Sequence, residues 1–283
     1  VGVTDTVAVG GTEVRLDRSD SSHVVGAPEP ARLARFLPGL PTLVGLFEFV
    51  LLYGLYKFYS SIRNGVGWED RATAYETGAA ILRVQDALFL SWERPLNHWV
   101  ASSDVLSAVV AVHYQSFHFW LTPLVLIWLY RRRRAHYRVA SAIWMGTTFL
   151  ALIGFYLLPT APPRLMAGEG FVDVMRETST WGWWATSGAP GPEMISNQFA
   201  AMPSLHCAWA AWCGAVVYLL VRRTWVRVLA VGYPLSTFVV VMATANHYLL
   251  DIVAGVALLV LVAGLVVLVD RQLRARREQA APA

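Results

Sequence analysis

Met202-Pro203-Ser204-Leu205-His206-Cys207-Ala208-Trp209-Ala210-Ala211-Trp212 opens an apolar run that continues to Val221. About 20 such residues, coiled as a helix, cross the hydrocarbon of a bilayer. Proline suits the first turn of a helix, where its missing N–H costs nothing, so the spacing predicts a spanning helix over 202–221. A second stretch, His247-Tyr248-Leu249-Leu250-Asp251, separates two more apolar runs, 226–245 and 252–269. Histidine and aspartate are costly at membrane depth, and there they point to function by default.

The same reading extends outward. Further apolar runs cover 38–59, 105–130 and 139–158, which predicts an all-α integral membrane protein with six transmembrane helices. Of 283 residues, 56% are hydrophobic and 15% charged, against about a quarter charged in a soluble chain, and the mean hydropathy is +0.46. Twelve Trp and eleven Tyr suit the aromatic belts at lipid headgroups. Cys207 and Cys213, six apart on one helix, face different directions and read as apolar core, neither a disulfide nor a metal site.

Between the runs lie two long polar segments. Residues 64–104 carry Glu69, Asp70, Arg71, Glu76, Arg83, Asp86, Glu93 and Arg94, with Ile81, Leu82, Leu88, Phe89 and Trp92 at roughly helical spacing. They predict one or two amphipathic helices on the membrane surface. Residues 159–200, rich in Pro, Gly and Trp, predict an ordered outer capping loop. Residues 1–37 read as a flexible cytoplasmic tail, with no apolar segment of the kind that opens a cleavable signal peptide. Residues 38–270 are expected to form one six-helix membrane domain, the catalytic one if the chain is an enzyme, and 271–283 a basic cytoplasmic tail.

Arginines set the orientation. Arg131 to Arg134 with Arg138, then Arg222, Arg223 and Arg227, then Arg271, Arg274, Arg276 and Arg277 all fall on one side of a six-helix chain, which the positive-inside rule makes cytoplasmic. Both termini are then cytoplasmic, in what is expected to be the plasma membrane. Stepping about 20 residues across from each cluster brings Lys57 and Arg63, Arg164, His206, His247 and Asp251 to one level, the outer face.

That convergence has a chemical reading. Asp251, four residues after His247, shares a helical face with it, can accept one imidazole proton and leaves the other nitrogen to attack. His206 can protonate a leaving oxygen. The N–H groups of Ser204 and Leu205 open a helix N-terminus, a natural phosphate site, and Arg164 offers a planar fork to two phosphate oxygens. Tyr114 and His118 are placed to line the site. Such a set fits phosphoryl transfer through a phosphohistidine. A single membrane histidine can instead bond a neighbouring helix, and Lys57 and Arg63 can snorkel; convergence of His206, His247 and Asp251 at one level favours the functional reading. Metal ligation by His113, His118, His206 and His247 is the competing reading, but His113 and His118 are spaced poorly for one face and no metal is expected.

Pro203-Ser204-Leu205-His206 and His247-x-x-x-Asp251 resemble the second and third signatures of the type 2 phosphatidic acid phosphatase superfamily. Ala161-Pro162-Pro163-Arg164 occupies the place of the first. The Leu of Pro-Ser-Leu-His and the Pro-Pro before Arg164 are most similar to the inositol phosphorylceramide synthase branch and its actinobacterial relatives. Over roughly 40–270 the resemblance implies a six-helix core, catalysis without metal or other cofactor, His247 as nucleophile, Asp251 as its partner and His206 as acid. Two cations of the phosphatases are replaced, by Leu157 and by Val241. Lys57, Arg63 or Asn246 can substitute, or the substrate is a phosphodiester with fewer charged oxygens. The second option favours an inositol phosphotransferase-like enzyme, acting on a membrane lipid with a phosphate or phosphodiester and a polar alcohol acceptor such as inositol. A lipid or polyprenyl phosphate phosphatase is the alternative within the class, and a non-catalytic transporter or assembly factor the alternative outside it. No nucleic-acid partner is expected, and the oligomer is left open.

The orientation is testable by cysteine labelling. A membrane-impermeant thiol reagent added outside should label Ser187→Cys and leave Gln279→Cys untouched; the reverse pattern overturns the orientation.

Overall fold

Helices that cross a membrane are expected to turn small and polar residues inward and large apolar ones outward. The computed structural model of the chain, which describes residues 7–9, 12–14, 50, 54, 71–184 and 198–280, shows that inversion. In the helix Asp104–Arg132 the buried residues include Ser107, Ala111, Gln115, His118 and Thr122. Val105, Val109, Trp120 and Leu124 lie exposed.

The chain divides into two compact units, Val1–Leu51 and Leu52–Ala283. In the first, Val7–Val9 (β1) pairs antiparallel with Thr12–Val14 (β2), Val7 opposite Val14. This short ribbon lies within the segment read as a flexible tail. In the second unit the described residues form eight α-helices in the order α1 Arg71–Ala87, α2 Glu93–Ala101, α3 Asp104–Arg132, α4 Arg134–Leu157, α5 Val174–Thr178, α6 Leu205–Leu220, α7 Thr224–Ala243 and α8 Leu249–Ala280, with a 3₁₀ turn at Pro163–Leu165. Of the predicted helix over 38–59 only residues 50 and 54 are described, both helical; Lys57 falls outside the described residues, as does Arg63.

Among the described residues three helices are long and apolar enough to cross a membrane: α4, α7 and the Leu249–Arg276 part of α8. Six were expected, one of them over 38–59, most of which lies outside the described residues. The 16 residues of α6 rise about 24 Å at 1.5 Å each, less than the hydrocarbon thickness. Its start moves from the expected Met202 to Leu205 because Ser204 is the N-cap, its hydroxyl accepting from Cys207 N–H at 3.4 Å. Pro203 therefore precedes the helix, behind a cis Met202–Pro203 bond, and does not occupy its first turn. At the far end α8 continues without a break through the basic segment as far as Ala280.

Glycines set how closely these helices meet. A Cβ on Gly214 would lie 2.3 Å from the Ala230 carbonyl, joining α6 to α7, and one on Gly255 would lie 2.3 Å from the Ser204 carbonyl, joining α8 to the start of α6. On α4, a Cβ on Gly154 would stand 3.1 Å from Pro203. Trp212 on α6 donates its indole N–H to the Ala140 carbonyl of α4 at 2.9 Å, and Trp209 donates to Thr148 at 3.0 Å.

The predicted amphipathic segment is two helices, α1 and α2, and their polar side chains turn inward more than the pattern implied. Glu93, read as a surface charge, is fully buried, as are Gln85 and Asn97, while Leu88, Phe89 and Trp92 are exposed. Helix α1 ends at Ala87, and Phe89, at φ +58°, turns the chain into α2. The apolar residues counted as one stripe thus belong to a helix, a turn and a cap.

Overpacking a close approach costs about 1–3 kcal/mol, so Gly255→Ala should lower the unfolding temperature of the detergent-solubilised protein. Gly264→Ala, where a Cβ meets nothing within 4 Å, should leave it unchanged or slightly raised. Thermal unfolding of the two variants side by side checks this.

Candidate active site

The turn between α7 and α8 builds the centre. Ala245 takes a left-handed conformation, φ +52°, and the N–H groups of Asn246 and His247 both reach the Val241 carbonyl at 3.1 Å. This closes α7 as a left-handed C-cap does. His247 follows in the turn, outside either helix, so it does not share a helical face with Asp251 as the spacing predicted. The turn nonetheless brings Nδ1 of His247 to 3.4 Å from Oδ2 of Asp251, while Nδ1 also stands 2.8 Å from the Ala201 carbonyl. A carbonyl oxygen accepts and does not donate, so Nδ1 carries the proton and the lone pair is on Nε2. Two acceptors, one of them a backbone atom absent from any motif, fix this tautomer.

Asp251 is the third residue of α8. Its Oδ2 accepts from Tyr248 N–H at 2.9 Å, the return bond of a capping box. Its own carbonyl accepts the Ser204 N–H at 3.0 Å. That bond corrects one expectation: the Ser204 N–H is held by protein and does not open toward a ligand. Ser204 instead positions α6, leaving Leu205 and His206 as the residues whose N–H groups have no partner among the described residues.

His206, in the first turn of α6, completes a ring cluster. Its imidazole stacks on Tyr114 at 4.6 Å, meets His118 edge-on at 4.4 Å and lies 5.7 Å from the His247 ring. Its Nε2 is buried with no partner among the described residues. His118 gives its Nδ1 proton to the Tyr114 carbonyl one turn back, at 3.0 Å. The two residues named as lining thus pack directly against His206. His113 lies against Ser236, Nε2 to Oγ 3.1 Å. Among the described residues no three of His, Cys, Asp or Glu are placed to hold a metal ion.

Arg164 arrives from the loop after α4. Thr160 bridges in parallel to Ala200, and the Arg164 N–H binds the Ala245 carbonyl at 2.8 Å, which ties the loop to the α7–α8 turn. Its Nε donates to Asn246 Oδ1 at 2.9 Å and its Nη1 to Asp173 Oδ2 at 3.3 Å. Asn246 therefore orients the guanidinium. Leu157 is 71% exposed at the end of α4, and Val241 is fully buried in the core cluster that also holds Tyr114 and Cys207.

Asp173 and the collar of Gln85, Glu93 and Asn97 were not singled out in the sequence. Gln85 donates to Glu93 and accepts the Leu250 N–H of α8 at 2.9 Å. Asn97 donates to the carbonyls of Ala243, at 2.8 Å, and Val172, at 3.0 Å. Burial pushes the Glu93 carboxyl above its usual range, and the charge of Asp251 adds to this. A polar residue inside the buried stripe of a surface helix was the available signal: Gln85 follows Ile81 and Leu82 by one turn.

Residues 79–265 match the PAP2 superfamily, a span that includes all of these side chains. The match is to the superfamily as a whole and does not reach its inositol phosphorylceramide synthase branch. No curated protein and no solved structure matches the chain. The matched span covers well over half of the sequence and holds both motif pairs, so the chain belongs to the PAP2 superfamily, whose membership points to phosphatase or phosphotransferase chemistry on a phosphorylated lipid-type substrate at a membrane.

Proposed function

We propose that the protein is a membrane enzyme that transfers or hydrolyses a phospho-headgroup through a phosphohistidine, with its site at the outer face of a six-span plasma-membrane domain and both termini cytoplasmic. The observation that carries the reading is the fixed tautomer of His247 beside a second imidazole, His206, and an open helix N-terminus. The lone pair on His247 Nε2 forms a bond to phosphorus as the ester P–O bond breaks. The departing oxygen takes a proton from the imidazolium of His206. Water or an alcohol then gives its proton to the neutral His206 and attacks phosphorus, releasing His247. Arg164, Leu205 N–H and His206 N–H hold the non-bridging oxygens, with Asn246 and Ser204 positioning them. Lys57 and Arg63 remain candidates for the same task. The absence of a cation at Leu157 and Val241 favours transfer of a phosphodiester headgroup, to an acceptor such as inositol, over monoester hydrolysis. Product analysis by mass spectrometry, on a lipid-phosphate panel with and without inositol, separates transfer from hydrolysis. Absence of any turnover would favour a non-catalytic transporter or assembly factor.

Arg164→Lys should lose at least tenfold in kcat/KM on any substrate processed. A point charge cannot give one hydrogen bond to Asn246 and present a planar fork as well. Near wild-type turnover would leave Arg164 an interfacial anchor.

The two histidines separate by leaving group. His247→Ala should abolish cleavage and any acid-labile phosphoenzyme. General acid help is worth about 10²–10⁴-fold, so His206→Ala should be crippled on a lipid alkoxide leaving group and much less impaired on a nitrophenyl ester, whose oxygen leaves without a proton. Equal losses on both would remove His206 from the acid role.

A further inference from the structure

Asp173 is held in place more firmly than a loop carboxylate needs to be. Its Oδ1 caps α5, accepting the Arg176 N–H at 3.0 Å. Its neighbour Val172 is pinned by Asn97 in both directions, N–H to Oδ1 at 2.8 Å and Nδ2 to carbonyl at 3.0 Å. On its other side Val174 and Met175 are fully buried. Oδ2 is thereby fixed 3.3 Å from Nη1 of Arg164, whose side chain is 3% exposed against 18% for Asp173. Among the described residues Arg164 is the cation tied to the His247 turn, and it reaches the site with a carboxylate already beside it.

We infer that Asp173 is a specificity-determining residue: held against Arg164, it makes the site accept a phosphate bearing one negative charge and disfavour one bearing two. This rests on the reading of the site as one for phosphate esters. A monoanionic diester approaching Arg164 meets a cation partly neutralised by Asp173, together with the partial positive charge of the α6 N-terminus. A dianionic monoester brings a second charge close to a fixed carboxylate, and like charges at such distances in a partly buried site repel strongly. Leu157 and Val241, both apolar, bring no charge to offset this.

Asp173→Asn tests charge apart from structure. Asparagine caps a helix as well as aspartate does and still offers Arg164 an acceptor. With the full chain in detergent, p-nitrophenyl phosphate and methyl p-nitrophenyl phosphate are compared at pH 8, where the monoester is a dianion and the diester a monoanion. Both esters expel the same oxygen, so demands on His206 cancel in the ratio. Wild type should prefer the diester. Asp173→Asn should shift the ratio of kcat/KM toward the monoester by about tenfold. A second arm measures thermal stabilisation at pH 8 by inorganic phosphate against dimethyl phosphate, and only the former should gain in the variant. Equal changes on both esters, or equal stabilisation by both anions in variant and wild type, overturn the role of Asp173. If wild type turns over neither ester, the phosphoryl-transfer reading fails while the anion arm still decides on Asp173.

Discussion

The first turn of α8 holds the site together through Asp251. Its carboxylate accepts the Tyr248 N–H and lies beside Nδ1 of His247; its backbone carbonyl takes the Ser204 N–H. One residue therefore places both histidines, His247 through its side chain and His206 through the cap of α6. Gly255, one turn further on, makes the contact possible, because any side chain there would strike the Ser204 carbonyl. A buried carboxylate is costly unless its oxygens are bonded. Oδ2 meets that condition with the protein's own groups, whereas Oδ1 has no partner among the described residues.

Around this turn the surface helices act as a collar. Gln85 of α1 reaches the Leu250 N–H, and Asn97 of α2 reaches the Ala243 carbonyl. These are orphan groups at the start of α8 and the end of α7, which no intrahelical partner can satisfy. Buried away from water, such groups are expensive to leave open. The collar satisfies them with amide side chains. Gly78 of α1 serves the same contact, since a Cβ there would stand 2.8 Å from both the Ala161 carbonyl and the Tyr248 hydroxyl.

Much of this was legible in the sequence, and the rest was hidden for a definite reason. His206, His247, Asp251 and Arg164 announced themselves because each is expensive at the end of an apolar run. Counting about 20 residues from each arginine cluster put them at one level. The orientation of the groups was less accessible. Periodicity assigns His247 and Asp251 to one helix face, but the left-handed Ala245 ends α7 first. The Ala201 carbonyl has no side-chain signature at all. Ser204 reads as an open phosphate donor until the Asp251 carbonyl, 47 positions later in the chain, is seen to occupy its N–H. Glu93 looked like a solvated charge because burial of a carboxylate by a glutamine eight residues before it is a tertiary event.

Two helix N-termini, of α6 and α8, stand at this edge, and the structure treats them differently. At α8 the Tyr248 N–H goes to Asp251 and the Leu250 N–H to Gln85, so its donors are largely spent on protein. At α6 the Ser204 hydroxyl satisfies Cys207 and Asp251 satisfies Ser204, while the N–H groups of Leu205 and His206 have no partner among the described residues. The macrodipole of both helices favours an anion, but directional donors decide where one can sit. On the proposed reading, an anion drawn to these termini is directed to the start of α6, since most donors of α8 are held by protein, and the carboxylate of Asp251 serves both ends, bonding the Tyr248 N–H and lying beside the His247 imidazole.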